Sequence, residues 1–149
     1  MAYDAFLKID GITGEAMGGA IRLESFSWGV SNAASGATGS GAGAGRASFQ
    51  DFSFTAQVGK HSPQVFEAAV SGKHIPSATL TVGDKLEPLM IRFGEVFISN
   101  YKLDEGALLN QRNEEGRLPA VQLGAPVESI SFNFLKIEFS AGGTIAIGG

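Results

Sequence analysis

The sequence contains no cysteine, which excludes disulfide bonds, thiolate metal sites and a cysteine nucleophile. This absence does not fix the cellular compartment, because a cysteine-free protein can work in either redox setting. Charged residues are few, at 17% of the 149 residues, and the formal net charge is −4. A negative chain gains no electrostatic support for binding a phosphate backbone, so no nucleic-acid partner is predicted.

Long apolar runs are also absent, although 44% of the residues are hydrophobic. The longest apolar stretches are too short for a transmembrane helix, so no membrane insertion is predicted. The first ten residues, MAYDAFLKID, alternate in character and carry acidic residues, without a basic region ahead of an apolar core. We therefore expect no cleaved signal peptide. The length favours one domain with a proper core.

Residue types that support catalysis are sparse. The two histidines, His61 and His74, have no acidic residue at a ligand spacing beside them, so we expect helix capping and a hydrogen bond to a loop. No G-x-S-x-G motif is present. Glu114 and Glu115 are adjacent in a predicted loop and do not resemble a glycosidase pair. The sequence predicts no enzyme, no metal site and no cofactor.

What the sequence does contain is a clear strand, helix and strand pattern in residues 46–82. Phe52, Phe54 and Ala56 fall on every second residue, which predicts a strand with one buried face. The next segment predicts a short helix that begins with Ser62 as its N-cap and ends at Gly72 as a left-handed C-cap. Pro63 is expected at the first helical position. The apolar helix face is expected to consist of Val65, Phe66, Ala69 and Val70.

Further period-two alternation predicts strands in residues 5–9, 21–30, 77–82, 89–98 and 127–139. The alternation changes phase near Ser25, near Gly94 and before Leu135, which predicts bends or bulges. Six or seven such strands with one helix are typical of a mainly β fold, either a small antiparallel barrel or a sandwich.

Trp28 is the only tryptophan, and it is expected in the core because it shares a strand face with Phe26 and Val30. Ser27 then points to the opposite face of that strand.

Residues 33–45, AASGATGSGAGAG, contain only glycine, alanine, serine and threonine, and they cannot supply a core. A phosphate-binding loop is not supported, because no Gly-Lys-Ser/Thr ending is present and a strand follows instead of a helix. Residues 104–124 are polar and predict a solvated excursion, with a short helix near residues 107–112 as an alternative. We place a single domain at residues 1–140, and we expect residues 141–149 to be a flexible tail or an added partner-binding strand.

Several motifs in this chain, taken together and in order, resemble the Hcp family, the tube-forming proteins of type VI secretion systems. They are YDAFLKID (3–10), FSWGVS (26–31), DFSFT (51–55), SP (62–63) and GKH-x-P-x-A-x-L-T (72–81). The resemblance covers most of the chain, whereas residues 104–124 and the tail depart from the family pattern. It implies a small antiparallel β-barrel flanked by one α-helix.

The resemblance also implies a function. The protein would be a structural subunit of hexameric rings, which stack into a tube, carry effectors in the lumen and are secreted from the cytoplasm without a cleaved signal peptide. Expected partners are further copies of the chain, the spike and sheath proteins, and effectors. In similar proteins the residue before the Trp-Gly pair lines the tube interior, which makes Ser27 a candidate lumen and cargo contact. The candidate ring-stacking loop, ordered by a neighbouring subunit, carries Gly36, Gly39, Gly41, Gly43 and Gly45.

Two alternatives remain at the level of sequence. The first is a secreted effector or adaptor of the same system with its own activity, against which the missing catalytic constellation and the short tail argue. The second is a phage-like tail tube protein, which has a related architecture.

Overall fold

The structure is a computed structural model, and it describes residues 4–32, 47–83, 88–104 and 126–148. Most of these residues form strands, and a short 3₁₀ turn (Met17–Gly19) follows the first of them. The α-helix α1 spans His61–Ser71. The strands, in chain order, are β1 (Ala5–Ile9), β2 (Ile21–Leu23), β3 (Ser25–Ser27), β4 (Val30–Asn32), β5 (Ala47–Phe49), β6 (Phe52–Gln57), β7 (Ile75–Val82), β8 (Leu89–Asp104), β9 (Val127–Ala141) and β10 (Thr144–Gly148).

The main sheet is antiparallel and curls almost into a closed barrel. Its strand order is β2-β1-β7-β8-β9-β6-β3, with β10 paired to β9, while β4 and β5 form a separate pair. The two ends of this sheet, β2 and β3, are consecutive in the chain and are separated only by Glu24. The amide of Glu24 donates a hydrogen bond to the carbonyl of Thr55 at 2.8 Å. The predicted bend near Ser25 is therefore confirmed, and it brings the two ends of the sheet together.

The core is built from the alternating apolar residues of β1, β6, β7, β8 and β9. Phe52 is fully buried at its centre. Its ring lies 5.0 Å from that of Phe93 and 5.1 Å from that of Phe132, centroid to centroid. Phe54 and Ala56 are buried on the same face of β6, as the alternation predicted.

The start of α1 differs from the prediction, and its end agrees with it. The helix begins at His61, and its N-cap is Lys60, which makes no side-chain capping bond. Ser62 lies inside the first turn, where its Oγ accepts a hydrogen bond from the amide of Gly59 at 3.0 Å. The assignment of Ser62 as N-cap, and with it Pro63 as first helical residue, is therefore wrong. Gly72 has φ 67° and ψ 32°, which confirms the left-handed C-cap.

The buried face of α1 is also not the predicted one. Val65 and Ala68 are buried, but Phe66 is 54% exposed and Val70 is 71% exposed. The burial predicted for Phe66 and Val70 is wrong because the inward side of the first turn is taken by polar residues that bind the barrel. Phe66 contacts the ring of Tyr101 edge-on, at a centroid distance of 5.9 Å.

Both long strands change the phase of their burial partway along. In β8, the odd-numbered side chains face the core before Gly94, and Val96 and Ile98 do so after it. A register shift between Ile98 and Asn100 then returns the odd phase to the core at Tyr101. Glu95, between Gly94 and Val96, has a positive φ of 57°, which produces the change predicted near Gly94. In β9 the change also occurs, but Leu135 is 67% exposed and does not share the buried face of Ile137.

The C-terminal residues form a hairpin with β9. Gly142 and Gly143 make the turn with φ values of 56° and 84°, a conformation that glycine adopts readily. Strand β10 then pairs with β9 of the same chain. The sequence alone had predicted either a flexible tail or a strand that binds a partner. The side chains of Ile145 and Ile147 on β10 are 60% and 81% exposed.

Other expectations fall outside the described residues. These include the glycines of the candidate stacking loop, from Gly36 to Gly45, and the alternative helix near residues 107–112. The domain limits stay a prediction. Within the ranges that the structure describes, no helix is long and apolar enough to cross a membrane.

Candidate functional site

Ser27 lies on an outward sheet face that carries hydroxyl side chains on three neighbouring strands. In one row Ser27 pairs with Ser53 of β6, which pairs with Ser131 of β9. In the next row Ser25 pairs with Thr55, which pairs with Ser129. We call these six residues the hydroxyl face: Ser25, Ser27, Ser53, Thr55, Ser129 and Ser131.

Hydrogen bonds across the strands hold this face together. Ser25 Oγ and Thr55 Oγ1 are 2.7 Å apart, and Ser53 Oγ and Ser131 Oγ are 2.8 Å apart. Ser27 itself is exposed at the edge of the face. The intervening residues on the same strands point into the core, so the face follows from the alternation of each strand.

The surroundings of the hydroxyl face carry few charges. On β8, Asn100 and Lys102 continue the two rows opposite Ser131 and Ser129. At another edge, Ser99 Oγ donates to Asp51 Oδ2 at 2.7 Å. A surface of this kind offers hydrogen-bond donors and acceptors to a polar partner, but it holds neither a nucleophile and base nor a cofactor cradle.

Trp28 packs on the core beside this face. Its ring is 5.7 Å from that of Phe139, and it lies against the core cluster as a partly buried side chain. Phe26 stacks on Phe52 at 5.9 Å. Val30 is 52% exposed, so the expectation that it joins Trp28 in the core is wrong. The reason is that Val30 belongs to the separate β4–β5 pair and not to the barrel sheet.

A second group of polar residues is buried between α1 and the barrel, and sequence reasoning missed most of it. Glu128 of β9 is fully buried. Its Oε2 is hydrogen-bonded to His61 Nε2, and its Oε1 accepts a hydrogen bond from the hydroxyl of Tyr101 at 2.8 Å. Ser62 is buried beside them. We call Glu128, His61, Tyr101 and Ser62 the buried carboxylate cluster.

The protonation of this cluster follows from its contacts. Burial by itself would raise the pKa of Glu128, but hydrogen bonds from His61, Tyr101 and Ser62, with the charge of His61, outweigh it and lower that pKa below the ordinary value. Burial, together with the hydrogen bond to Glu128 and the charge of that carboxylate, raises the pKa of Tyr101 to about 12. At neutral pH the carboxylate is therefore ionised and the tyrosine is a neutral donor.

The cluster contains the residue types of a hydrolytic triad in a different arrangement. In a triad the base nitrogen faces the serine oxygen, and the acid holds the other ring nitrogen. Here His61 Nε2 faces Glu128, and Ser62 Oγ accepts the hydrogen bond from Gly59. All three side chains are buried. The geometry fixes the first turn of α1 to β9 and β8.

His61 was expected to cap a helix, but its partner is a carboxylate 67 residues away in the sequence. The sequence carried one signal for this contact. In the alternation of β9, Glu128 occupies the same inward phase as Ile130 and Phe132. A glutamate in a core phase requires hydrogen-bonding partners, and a histidine is a suitable one.

His74 also has a carboxylate partner, at the surface. Its Nε2 lies 2.5 Å from Oε1 of Glu95, and its ring packs 5.3 Å from that of Phe97. The residues that the structure describes contain no group of three or more potential metal-binding side chains.

An open cleft of about 760 Å³ lies near the N-terminal end of α1. Glu15, Arg22, Glu24 and His61 are among the residues that line it. The Glu15 carboxylate accepts a hydrogen bond from the amide of Lys60 at 3.2 Å, so it is engaged with the protein itself.

Comparisons with known proteins agree with this geometry. The sequence matches the family described as "Type VI secretion system effector, Hcp" over residues 6–140. A comparison with curated proteins gives no match.

Solved structures of similar fold are numerous. Hcp1 from Salmonella typhimurium is 25% identical, with a TM-score of 0.69 over 99% of this chain and 93% of that one. A type VI secretion system effector from Yersinia pestis is 25% identical, with a TM-score of 0.70 over 97% of each chain. Hcp2 from Salmonella typhimurium is 26% identical, with a TM-score of 0.64 over 97% of this chain and 92% of that one.

Proposed function

Because the chain belongs to the Hcp family of type VI secretion system proteins, we propose that it is a structural tube subunit. Its copies form hexameric rings, which stack head to tail into a tube that is exported from the cytoplasm to the extracellular space or a target cell. Heterologous contacts of this kind allow identical subunits to build an open-ended filament. The observation that carries the proposal is the family match over residues 6–140.

The exposed apolar side chains support assembly. Leu135, Ile145 and Ile147 are all at least 60% exposed, and they lie on β9 and on the hairpin strand that pairs with it. Apolar surface of this kind is commonly covered by another protein. In the proposed tube the covering partners are further copies of the chain, with the spike and sheath proteins as additional partners.

Assembly is tested by light scattering of the native mass at micromolar concentration, with negative-stain imaging of the same sample. We expect a ring-sized species and annular particles with an open channel. A monomeric mass at every salt and protein concentration would contradict the ring.

We further propose that the hydroxyl face lines the lumen and that Ser27 contacts cargo. The face is supported for this role by its exposed serine and its few charges, because uncharged hydroxyl groups hydrogen-bond to polar cargo without strong electrostatic trapping. Ser27→Glu should abolish copurification of an effector with the rings and leave the ring mass unchanged. Met17→Glu introduces the same charge at a turn residue that is 92% exposed, and it should retain the effector.

The stacking role of the glycine-rich segment is a further part of the proposal. We propose that the segment holding Gly36, Gly39, Gly41, Gly43 and Gly45 contacts the next ring. Replacing Gly39 and Gly41 by Asp should shorten the tubes seen by negative-stain imaging and leave single rings intact. Tubes of unchanged length would contradict the role.

A catalytic effector is the alternative function. The Ser62, His61 and Glu128 side chains do not favour it, because they are buried and His61 faces the carboxylate instead of the serine. If the alternative were correct, Ser62→Ala would remove a hydrolytic activity of the purified protein. We expect no such activity in either form.

A further inference from the structure

The buried carboxylate cluster connects an element that can move with one that is held on both sides. Glu128 lies on β9, and at this position β9 pairs with Leu103 of β8 and with Ala56 of β6. The strand therefore cannot leave without breaking the barrel. The helix α1, in contrast, exposes Phe66 and Val70 to solvent on its other side. Its contact with the barrel depends on a narrow buried face.

The buried face of α1 consists of its two residues of the cluster and two apolar side chains. Val65 and Ala68 are the buried apolar residues of α1, and His61 and Ser62 are its buried polar residues. A further link is the side chain of Gln64, which exchanges hydrogen bonds of 3.0 and 3.1 Å with the backbone of Thr13 in an exposed position. Loss of the cluster would thus remove the main polar attachment of the first helical turn.

The hydrogen bonds of the cluster favour an ionised carboxylate. Glu128 accepts from His61 at one oxygen and from Tyr101 at the other. A protonated Glu128 would bring an additional hydrogen-bond donor to a site that already faces those two donors.

The other described ionisable side chains near the cluster lie outside its buried contacts: Glu15, Arg22 and Glu24 line the open cleft that His61 also borders. On β6 the neighbour of Glu128 is Ala56, which carries no charge. On β8, Lys102 and Asp104 are exposed beyond Tyr101. At the helix start, the Glu15 carboxylate is bound to the backbone amide of Lys60.

We propose that the buried carboxylate cluster is an acid-released latch, in which protonation of Glu128 frees the first turn of α1 while the barrel strands stay paired. The sign follows from linkage. A carboxyl group whose pKa is lowered by folding stabilises the folded arrangement above its unfolded pKa, and this contribution is lost as the pH falls through the folded pKa. The latch is therefore closed at neutral pH and opens in acid.

Hydrogen–deuterium exchange of the full-length protein between pH 3 and pH 7, corrected for the intrinsic pH dependence of exchange, tests the latch. In the wild type, peptides from residues 61–71 should lose protection at a higher pH than peptides from residues 5–9. Tyr101→Phe keeps the ring against Phe66 but removes one donor to the carboxylate. It should move the opening of α1 to higher pH by about one unit.

Two further variants complete the test. Glu128→Gln cannot take up a proton, so the protection of α1 should no longer change in acid before that of β1. Glu95→Gln removes the carboxylate of the exposed His74 pair and should open at the wild-type pH. The latch is refuted if α1 and β1 lose protection at one common pH, if Tyr101→Phe leaves the midpoint of α1 in place, or if Glu95→Gln moves it equally.

Discussion

Phe52 and Phe66 are both phenylalanines on faces that the sequence assigned to the core, but they should contribute very differently to the free energy of unfolding. Phe52 is fully buried among other phenylalanine rings, whereas Phe66 is 54% exposed. Phe52→Ala should cost roughly 3–5 kcal/mol, because it leaves a cavity. Phe66→Ala should cost about 1 kcal/mol, because little area returns to water. Urea denaturation of both variants measures the difference, and equal losses would contradict the burial of Phe52.

At this scale the sequence predicted what depends on neighbours along the chain. Gly72 was recognisable as a C-cap because the apolar period ends before it and Pro76 follows, and its φ of 67° agrees. The exposure of Phe66 was not recognisable, because the adjacent apolar residues Val65 and Phe66 leave open which of them faces the barrel. In the structure Val65 faces the barrel, on the side of α1 where His61 contacts Glu128. That contact could not be read from the sequence, because Glu128 lies 67 residues after His61.

At the scale of elements, the C-terminal hairpin should depend on its turn. Gly142 and Gly143 have positive φ values of 56° and 84°, as in the tight turns that favour Asn-Gly. Gly142→Asn should therefore preserve the hairpin, whereas Gly143→Val should speed amide exchange in residues 144–148 by about tenfold or more, since a β-branched residue resists positive φ. No atom outside the turn would lie within 4 Å of a new Cβ at either position, so the comparison isolates backbone conformation. Equal exchange rates in the two variants would contradict a turn that needs a positive φ at residue 143.

Strands could be predicted from the sequence where the alternation of apolar and polar residues was long. The residues at which they begin and end were harder to predict. Strand β7 begins at Ile75, two residues before the predicted Ser77, and includes Pro76. Proline lacks an amide donor and is uncommon inside a sheet. The strand accommodates it because the residues on either side, Ile75 and Ser77, pair with Val96 and Gly94 of β8.

At the scale of the whole molecule, the hydroxyl face shows what sequence reasoning could and could not reach. Each of its serines was visible as the outward phase of a strand, and Ser27 was singled out by resemblance alone. The six residues form one face only if β3, β6 and β9 are neighbours in the sheet. Strands β6 and β9 are far apart in the sequence, about as far as any two paired strands of the barrel. Local alternation contains no information on the order of strands in a sheet. The barrel was therefore predicted from the family resemblance, and the hydroxyl face became visible only in the structure.

The position of β1 in the barrel makes a prediction about export. This strand lies between β2 and β7, and its residues Ala5, Leu7 and Ile9 are buried. Removing a leader of about 20 residues, the usual size of a signal peptide, would delete β1 and leave the edges of both neighbours unpaired. We therefore expect the exported protein to retain β1, as the cytoplasmic protein does. Peptide mass spectrometry of the two fractions decides this, and an exported form without residues 5–9 would show that the barrel tolerates the loss of β1 or that another strand replaces it.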